Sequence, residues 1–344
     1  MRILMYSDLH ISRTSSILPL YSSNSHYTYR QNMILKTGEW LAQLMVNEKP
    51  DLIINLGDTF DQHTITSYDV HIASKFFKCF NDRMSLNNLQ IPHYVIVGNH
   101  EMINSEFNAV ALLSNIPGII VIDEAQTINN MAFLPYCDYK NIIDFPKGEF
   151  LFSHQDIQGS SIRGNFVLPS GINKDALKQY KLVFNGHIHK SSILNNVVNV
   201  GSVTTHSFSD DDTTIPQAYV FNTETLDLKS FINFNCPLFR KAEVQSEAEL
   251  DNYLDALNIN FKYILHINCP YEIKDAIKNK LIDSDKVLNS KLSVSVKKEQ
   301  KIAESEITNL QGNIDVKQSF KDFLNSADLK FPLDLYDEVL NGID

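Results

Sequence analysis

The chain has 344 residues, 43% of them hydrophobic and 21% charged, with a formal net charge of −11 at pH 7. This is globular composition in a chain too long for one ordinary core, so two domains, or one with an appendage, are expected. No apolar run approaches the roughly 20 residues of a bilayer-spanning helix, and the N-terminus MRILMYSDLH has no signal-peptide core.

The charge is unevenly spread. Residues 1–235 carry 16 basic and 22 acidic side chains, residues 236–300 ten of each, and residues 301–344 four and nine. No segment is a basic nucleic-acid footprint, so a nucleic-acid substrate would need a local patch, bound metals or another subunit. Cys79, Cys137, Cys236 and Cys269 form no CxxC pair. They read as reduced thiols of a cytoplasmic protein rather than as disulfides or a zinc site.

Residues 2–7 read as a strand ending at Asp8-Leu9-His10, and a Ser/Tyr-rich loop follows over 11–29. Residues 31–47 place Ile34, Leu41, Leu44 and Met45 near one helical face. Leu52-Ile53-Ile54-Asn55-Leu56 is a nearly continuous apolar run, as expected of a strand buried on both faces, and Gly57 turns it into Asp58. Thr66 or Ser67 caps a helix over 68–84, and Pro92 precedes a strand over 93–97 that runs into Gly98-Asn99-His100-Glu101. A helix is expected over 106–115, with strands over 119–122 and 131–134. Residues 150–153 form a strand ending at His154, and residues 182–184 one ending at Asn185-Gly186-His187-Ile188-His189. Residues 195–200 and 218–222 read as strands of a second sheet.

The texture changes after Pro237. Ser246-Glu247-Ala248-Glu249 opens a helix to about residue 257 as a capping box. Strand 261–268, helix 271–282 and strand 291–297 complete a small α/β module. Residues 299–313 are polar and linker-like, and two apolar-faced helices end the chain.

Five of the apolar runs end in side chains that can bind metal: Asp8 with His10, Asp58, Asn99, His154, and His187 with His189. Each has a bland reading alone, as turn chemistry or as a hydrogen-bonded histidine. Together they place mixed oxygen and nitrogen donors at strand ends, where α/β sheets collect ligands. Parallel strands would bring the five ends to one sheet edge. Asp58 can bridge two cations, one oxygen to each, and the set suits Mn²⁺, Fe or Zn.

Asp8-x-His10, Gly57-Asp58-Thr59-Phe60-Asp61, Gly98-Asn99-His100-Glu101, His154 and Gly186-His187-Ile188-His189 resemble the calcineurin-like metallophosphoesterases over roughly the first 200 residues. Within them the chain looks most like SbcD-type DNA double-strand-break repair nuclease subunits, especially those of tailed phages. Gly-Asp-x-Phe-Asp at 57–61 and Gly201-Ser202 followed by Ser207-Phe208 carry that likeness. The resemblance implies a four-layer α/β/β/α sandwich over 1–235, an α/β, DNA-binding cap over 236–298, a linker over 299–313 and a helical partner-binding tail over 314–344. It implies two ions, usually Mn²⁺ (Mg²⁺, Fe or Zn being alternatives). Asp8, His10, Asp58 and His189 would hold one, and Asp58, Asn99, His154 and His187 the other. His100 would assist departure of the leaving oxygen. The implied activity is exo- or endonucleolytic cleavage at DNA ends in recombination, repair or replication, with an SbcC-type coiled-coil ATPase. Pairing of two copies through the helices at 68–84 and 106–115 is implied by analogy.

Three positions depart from the pattern or choose within it. Glu101 stands where this branch often has Asp, and Asp61 where some of its nucleases have His. Gln62 follows Asp61, whereas serine/threonine phosphoprotein phosphatases have a phosphate-gripping Arg there. A phosphatase or small-molecule phosphodiesterase of the same fold, and a non-catalytic scaffold, are the alternatives. Asp61, His63, Arg30, Tyr29 and His206 are candidate substrate contacts, although histidines and tyrosines so placed more often pack locally. Phe320, Phe323, Leu324, Leu335, Tyr336, Val339 and Leu340 form the apolar faces expected to dock on a partner helix.

Overall fold

The computed structural model describes residues 1–13, 26–104, 107–138, 140, 142, 144–163, 166–208 and 214–294. The chain divides into two compact units, Met1–Val296 and Lys297–Asp344. The second lies outside the described residues, and with it the expected linker and docking helices.

In chain order the elements are β1 (Arg2–Tyr6), α1 (Tyr29–Glu48), β2 (Leu52–Asn55), α2 (Ser67–Leu86), β3 (His93–Ile96), β4 (Ile119–Ile122), β5 (Gln126–Ile128), β6 (Met131–Leu134) and β7 (Phe150–Ser153). A short hairpin, β8 (Ser161–Arg163) and β9 (Phe166–Val167), precedes β10 (Leu182–Asn185), β11 (Ser192–Leu194), β12 (Val197–Asn199), β13 (Gln217–Asn222) and β14 (Leu228–Ile232). Then come β15 (Leu238–Glu243), α3 (Glu247–Ala256), β16 (Tyr263–Cys269), α4 (Lys274–Asp283) and β17 (Val287–Val294).

Two six-stranded sheets face each other, in the orders β14-β13-β1-β2-β3-β4 and β11-β12-β10-β7-β6-β5. Each contains four parallel strands: β1 to β4, extended on the β1 side by antiparallel β13 and then β14, and β12, β10, β7 and β6, flanked by antiparallel β11 and β5. The pleat sends alternate residues to opposite faces, which explains the continuous apolar runs. From β1, Ile3 and Met5 enter the layer between the sheets with Phe133, Phe152, Phe184 and Phe221, while Leu4 and Tyr6 face α1 and α2. Leu134, Leu151 and Val183 point the other way, against Ile172, Leu177 and Tyr180. Both long helices begin in capping boxes, Thr28 with Gln31 and Thr66 with Asp69.

A smaller parallel sheet, β15-β16-β17, packs α3 and α4 on one face around Leu250, Leu265, Ile267, Ile277 and Leu281. Its other face sets Phe239 and Ile264 against Tyr29 and Phe208. All four cysteines are free, and no helix of the described residues is long and apolar enough to cross a membrane.

Three expectations are corrected. Strand 218–222 joins the first sheet, antiparallel to β1, rather than the second, because the chain returns along the β1 edge. The helix expected over 106–115 is a 3-10 segment, Ala109–Asn115, capped by Asn108 and followed by Pro117. Phe107, just before the cap, is 62% exposed. Nor do the five ligand-bearing ends share one sheet edge: β1, β2 and β3 supply three and β7 and β10 of the facing sheet supply two.

His93, at the start of β3, is buried among Phe77, Phe80 and Tyr6 and contacts the Tyr6 hydroxyl at 2.9 Å. Burial holds its pKa down to about 3. The folded protein therefore keeps His93 neutral where the unfolded chain takes up a proton. This contribution to stability is complete above the unfolded pKa of about 6.5 and is lost, at about 1.4 kcal/mol per pH unit, as pH falls toward 3. In urea titrations from pH 7 to 4, His93→Phe should lose less stability than wild type; equal losses would remove His93 from the acid limb.

Candidate metal centre

The carboxyl ends of β1, β2 and β3 meet those of β7 and β10 across the sandwich, and backbone hydrogen bonds tie them together. Asp8 N–H donates to Gly57 O, His10 N–H to Asp58 O, and Gly186 N–H to Ser153 O. Four of the ligand candidates have left-handed backbone: Asp8 (φ 54), His10 (φ 47), Asp58 (φ 51) and His187 (φ 69). Each such residue costs roughly 1–3 kcal/mol, a strain that persists where the surroundings impose it. Two glycines make room. A Cβ on Gly57 (φ +111) would lie 2.3 Å from His154 Nδ1, and one on Gly98 would lie 2.1 Å from Asp58 Oδ1.

All seven expected ligands converge. His10 Nε2 lies 3.6 Å from Asp58 Oδ2, 3.9 Å from Asp8 Oδ1 and 3.2 Å from His189 Nε2, which is 3.7 Å from Asp8 Oδ1. On the other side His154 Nε2 lies 3.2 Å from Asp58 Oδ2 and 3.1 Å from Asn99 Oδ1, and His187 Nδ1 lies 2.8 Å from the same Asn99 oxygen. Asp58 Oδ2 thus faces both groups, while Asp58 Oδ1 accepts His100 N–H at 3.1 Å.

The donor set fits cations. Asp8 is fully buried, and neither of its carboxylate oxygens has a hydrogen-bond partner. A bare buried carboxylate costs far more than folding can spare unless positive charge compensates it. His154 Nδ1–H donates to Leu56 O at 2.7 Å, which turns Nε2 toward two oxygens. Positive charge belongs between that nitrogen and those oxygens, as a proton or as a bound cation. Burial opposes charge on His154, yet Asp58 beside it pushes the pKa up to about 9. Burial likewise opposes charge on Asp58, but His154 and His10 hold its carboxyl far below the usual range.

Around this core stands a brace. Glu101 is buried, and its carboxylate accepts Phe60 N–H at 2.9 Å and Gly98 N–H at 2.7 Å, joining the loops after β2 and β3. Burial, and then Asp58, push its pKa up to about 8. His100 Nδ1–H donates to Asp61 O at 2.6 Å, so proton exchange on this ring occurs at Nε2. The Asp61 carboxylate lies 3.4 Å from His10 Nδ1, and the Asp156 carboxylate lies 3.0 Å from His187 Nε2.

Three expected substrate contacts are placed otherwise. Arg30 is 2% exposed, and its guanidinium donates to Leu9 O and His10 O at 2.8 Å and to Thr205 O at 2.9 Å. It also donates to His206 Nδ1 at 3.1 Å, and His206 Nε2 lies 3.0 Å from Ser202 Oγ. Both His206 nitrogens are therefore engaged inside the protein. Tyr29 packs against Phe239 and Ile264. Asp61 and His63 are exposed, Asp61 beside His10. Sequence reading missed the brace: Arg30 sits at the start of an ordinary amphipathic helix, and only its position beside the Asp8 loop reveals its work. Asp156 offered a signal in its spacing, two residues past His154.

The family model described as calcineurin-like phosphoesterase matches residues 1–191. Exonuclease subunit 1 of Enterobacteria phage T4 is 25% identical over 228 residues, covering 62% of this chain. The match spans 64% of that relative's length, just under two thirds. Among solved structures, an archaeal phosphodiesterase is similar at 13% identity and a TM-score of 0.35, covering 68% of this chain and all of its own. A dimetal phosphatase from Danio rerio (12% identity, TM-score 0.38) covers 67% of this chain and 98% of its own. A nuclease from Pseudomonas putida (15% identity, TM-score 0.28) covers 63% and 83%.

Arg30→Met should destabilise the protein by about 3–5 kcal/mol, because it strands several buried carbonyls at once. Arg30→Lys should fall between, since one ammonium cannot reach all of them. Urea midpoints measure this, and a loss below about 1 kcal/mol for Arg30→Met would contradict the bracing role.

Proposed function

The chain belongs to the calcineurin-like phosphoesterase family, whose members are dimetal hydrolases, and on that premise we propose that it is a metal-dependent DNA nuclease subunit cutting phosphodiester bonds at DNA ends. The observation that carries the proposal is the buried Asp8 carboxylate, which accepts no hydrogen bond, set among the ring nitrogens of His10 and His189 and the Asp58 carboxylate.

Two Mn²⁺ ions bound there would offset the phosphodiester's charge and acidify a water for in-line attack. Asp8, His10, Asp58 and His189 are the residues to hold one, and Asp58, Asn99, His154 and His187 the other. His100 stands beside this pair, its ring edge-on to His10 with centroids 4.6 Å apart. Its Nδ1–H is fixed on Asp61 O. That leaves Nε2 to hand a proton to the leaving 3′ or 5′ oxygen, a transfer imidazoles perform near neutral pH.

Three observations favour DNA over a phosphopeptide. The T4 relative is named an exonuclease subunit. Gln62 replaces the phosphate-gripping arginine of phosphoprotein phosphatases. And the face of the small sheet that sets Phe239 and Ile264 on Tyr29 and Phe208 also carries, in register, a row of two lysines, Lys241 and Lys291, flanking His266, whose pKa burial and the lysines hold down. The Phe208 ring contacts His266 and lies beside Lys241, two residues beyond His206. The row supplies the local patch that the net charge of the chain does not. Residues 236–298 are accordingly proposed as a DNA-contacting cap.

The test is a hydrolysis panel in Mn²⁺ with duplex DNA, a phosphopeptide and a small aryl phosphodiester. Wild type should cleave DNA, and His100→Ala should keep its metal but lose about 10²–10⁴-fold in turnover. Lys241→Ala with Lys291→Ala should weaken DNA binding and lower its salt slope by about 2, sparing the small ester. Preference for the phosphopeptide would replace the nuclease reading with a phosphatase one.

The apolar faces at Phe320, Phe323, Leu324, Leu335, Tyr336, Val339 and Leu340 lie outside the described residues. We propose that they dock on a coiled-coil ATPase of the SbcC type. Deleting residues 316–344 should abolish co-purification with such a partner and leave small-ester hydrolysis intact; a retained complex would refute the docking.

A further inference from the structure

We propose that Asp156 is a positioning residue for the second group of metal ligands, holding the His187 ring so that its Nδ1 lone pair points at Asn99, His154 and Asp58. The inference rests on the dimetal reading above and adds to it a side chain outside the seven ligands.

The geometry is a relay of two contacts through one ring. Asp156 Oδ1 lies 3.0 Å from His187 Nε2, and His187 Nδ1 lies 2.8 Å from Asn99 Oδ1. A carboxylate can only accept, so Nε2 must carry the proton in that contact. The neutral ring then has its lone pair on Nδ1, which faces the acceptor oxygen Asn99 Oδ1 at 2.8 Å, an arrangement that suits two ligands of one cation. Carboxylates that accept from the far nitrogen of a ligating histidine fix its tautomer and orientation, and make it a stronger donor to the ion.

His187 needs such a hold. It has left-handed backbone and follows Gly186, whose carbonyl accepts Ile188 N–H at 2.8 Å, so the chain pivots tightly at the ring's own residue. Its side chain is 21% exposed on the open side of the centre, where His154 is fully enclosed and tied to Leu56 O. Among the described residues no backbone carbonyl holds His187 as Leu56 O holds His154; the Asp156 carboxylate takes that place.

Asp156 is itself held from behind. Its carbonyl accepts Ile172 N–H at 2.8 Å, Gln158 N–H donates to Ile172 O at 3.0 Å, and Ile157 bridges Ile172 in parallel. Gly171 lets this segment come so close: a Cβ there would lie 2.5 Å from Asp156 O, and its φ of +132 is one that other residues avoid. The excursion between β7 and β10 therefore has a mechanical role. It returns to brace the residue that follows His154 by two and leans it on His187.

The test uses the full chain and Asp156→Ala and Asp156→Asn variants. In metal-free protein at mildly alkaline pH, long-range ¹H–¹⁵N spectra of the His187 ring should show the Nε2–H tautomer in wild type and a mixture in Asp156→Ala. Titration with Mn²⁺, followed by calorimetry and electron paramagnetic resonance, should show one of two ions bound about 10–100-fold more weakly in Asp156→Ala. The other ion should be held within about twofold, and Asp156→Asn, which keeps a neutral acceptor, should fall between. An unchanged tautomer together with two wild-type affinities would overturn the proposal, as would equal weakening of both ions. A wild type showing the expected tautomer but taking up no ion would sink the dimetal reading, and the ligand-positioning role with it, while leaving the Asp156–His187 contact demonstrated.

Discussion

The structure turns on a concentration of lone pairs. At the junction of two sheets, carboxylate oxygens of Asp8 and Asp58, the amide oxygen of Asn99 and ring nitrogens of four histidines point into one volume. Protein groups alone do not neutralise that arrangement: Asp8 has no hydrogen bond, and the nearest candidate donors to it are 3.7 and 3.9 Å away. Such a volume is unfavourable until positive charge enters it, and favourable once it does. The fold is built to hold these atoms in place against their mutual repulsion.

That requirement explains features otherwise unconnected. Left-handed backbone at Asp8, His10, Asp58 and His187 aims side chains that extended strands would turn to alternate faces. Gly57 and Gly98 bring loops of different strands within touching distance. Arg30 and Glu101, both buried, turn their polar atoms to backbone groups of those loops. A guanidinium gripping carbonyls and a carboxylate gripping amides are complementary clamps, one for the β1 loop and one for the loops after β2 and β3. The rigid inter-sheet layer, with Phe152 stacked between Phe133 and Phe184, keeps the two halves of the site in register.

Much of this was legible in the sequence. Continuous apolar runs gave the buried parallel strands, and capping residues gave both long helices. Polar residues at strand ends gave every ligand candidate, because parallel strands must present their ends to solvent and the ligand type is visible there. What was not legible depended on long-range pairing. The placement of β13 beside β1, the origin of the ligands from two sheets, and the short strands β5, β8, β9, β11, β14 and β15 are set by partners rather than by local pattern. Arg30 illustrates the limit best. An arginine after two tyrosines in a polar loop suggests a substrate contact, and only the fold shows its guanidinium enclosed by carbonyls from two loops. The segment expected as a helix over 106–115 fails for a local reason, since Asn108 caps a turn and Pro117 ends it before an α-helix can establish itself.

The most direct check is anomalous diffraction from crystals of the full chain grown with Mn²⁺. The account predicts two manganese peaks about 3.5–4 Å apart, one among Asp8, His10 and His189, one among Asn99, His154 and His187, with Asp58 Oδ2 between them. A single peak, none, or ions bound elsewhere with these side chains turned away would contradict it.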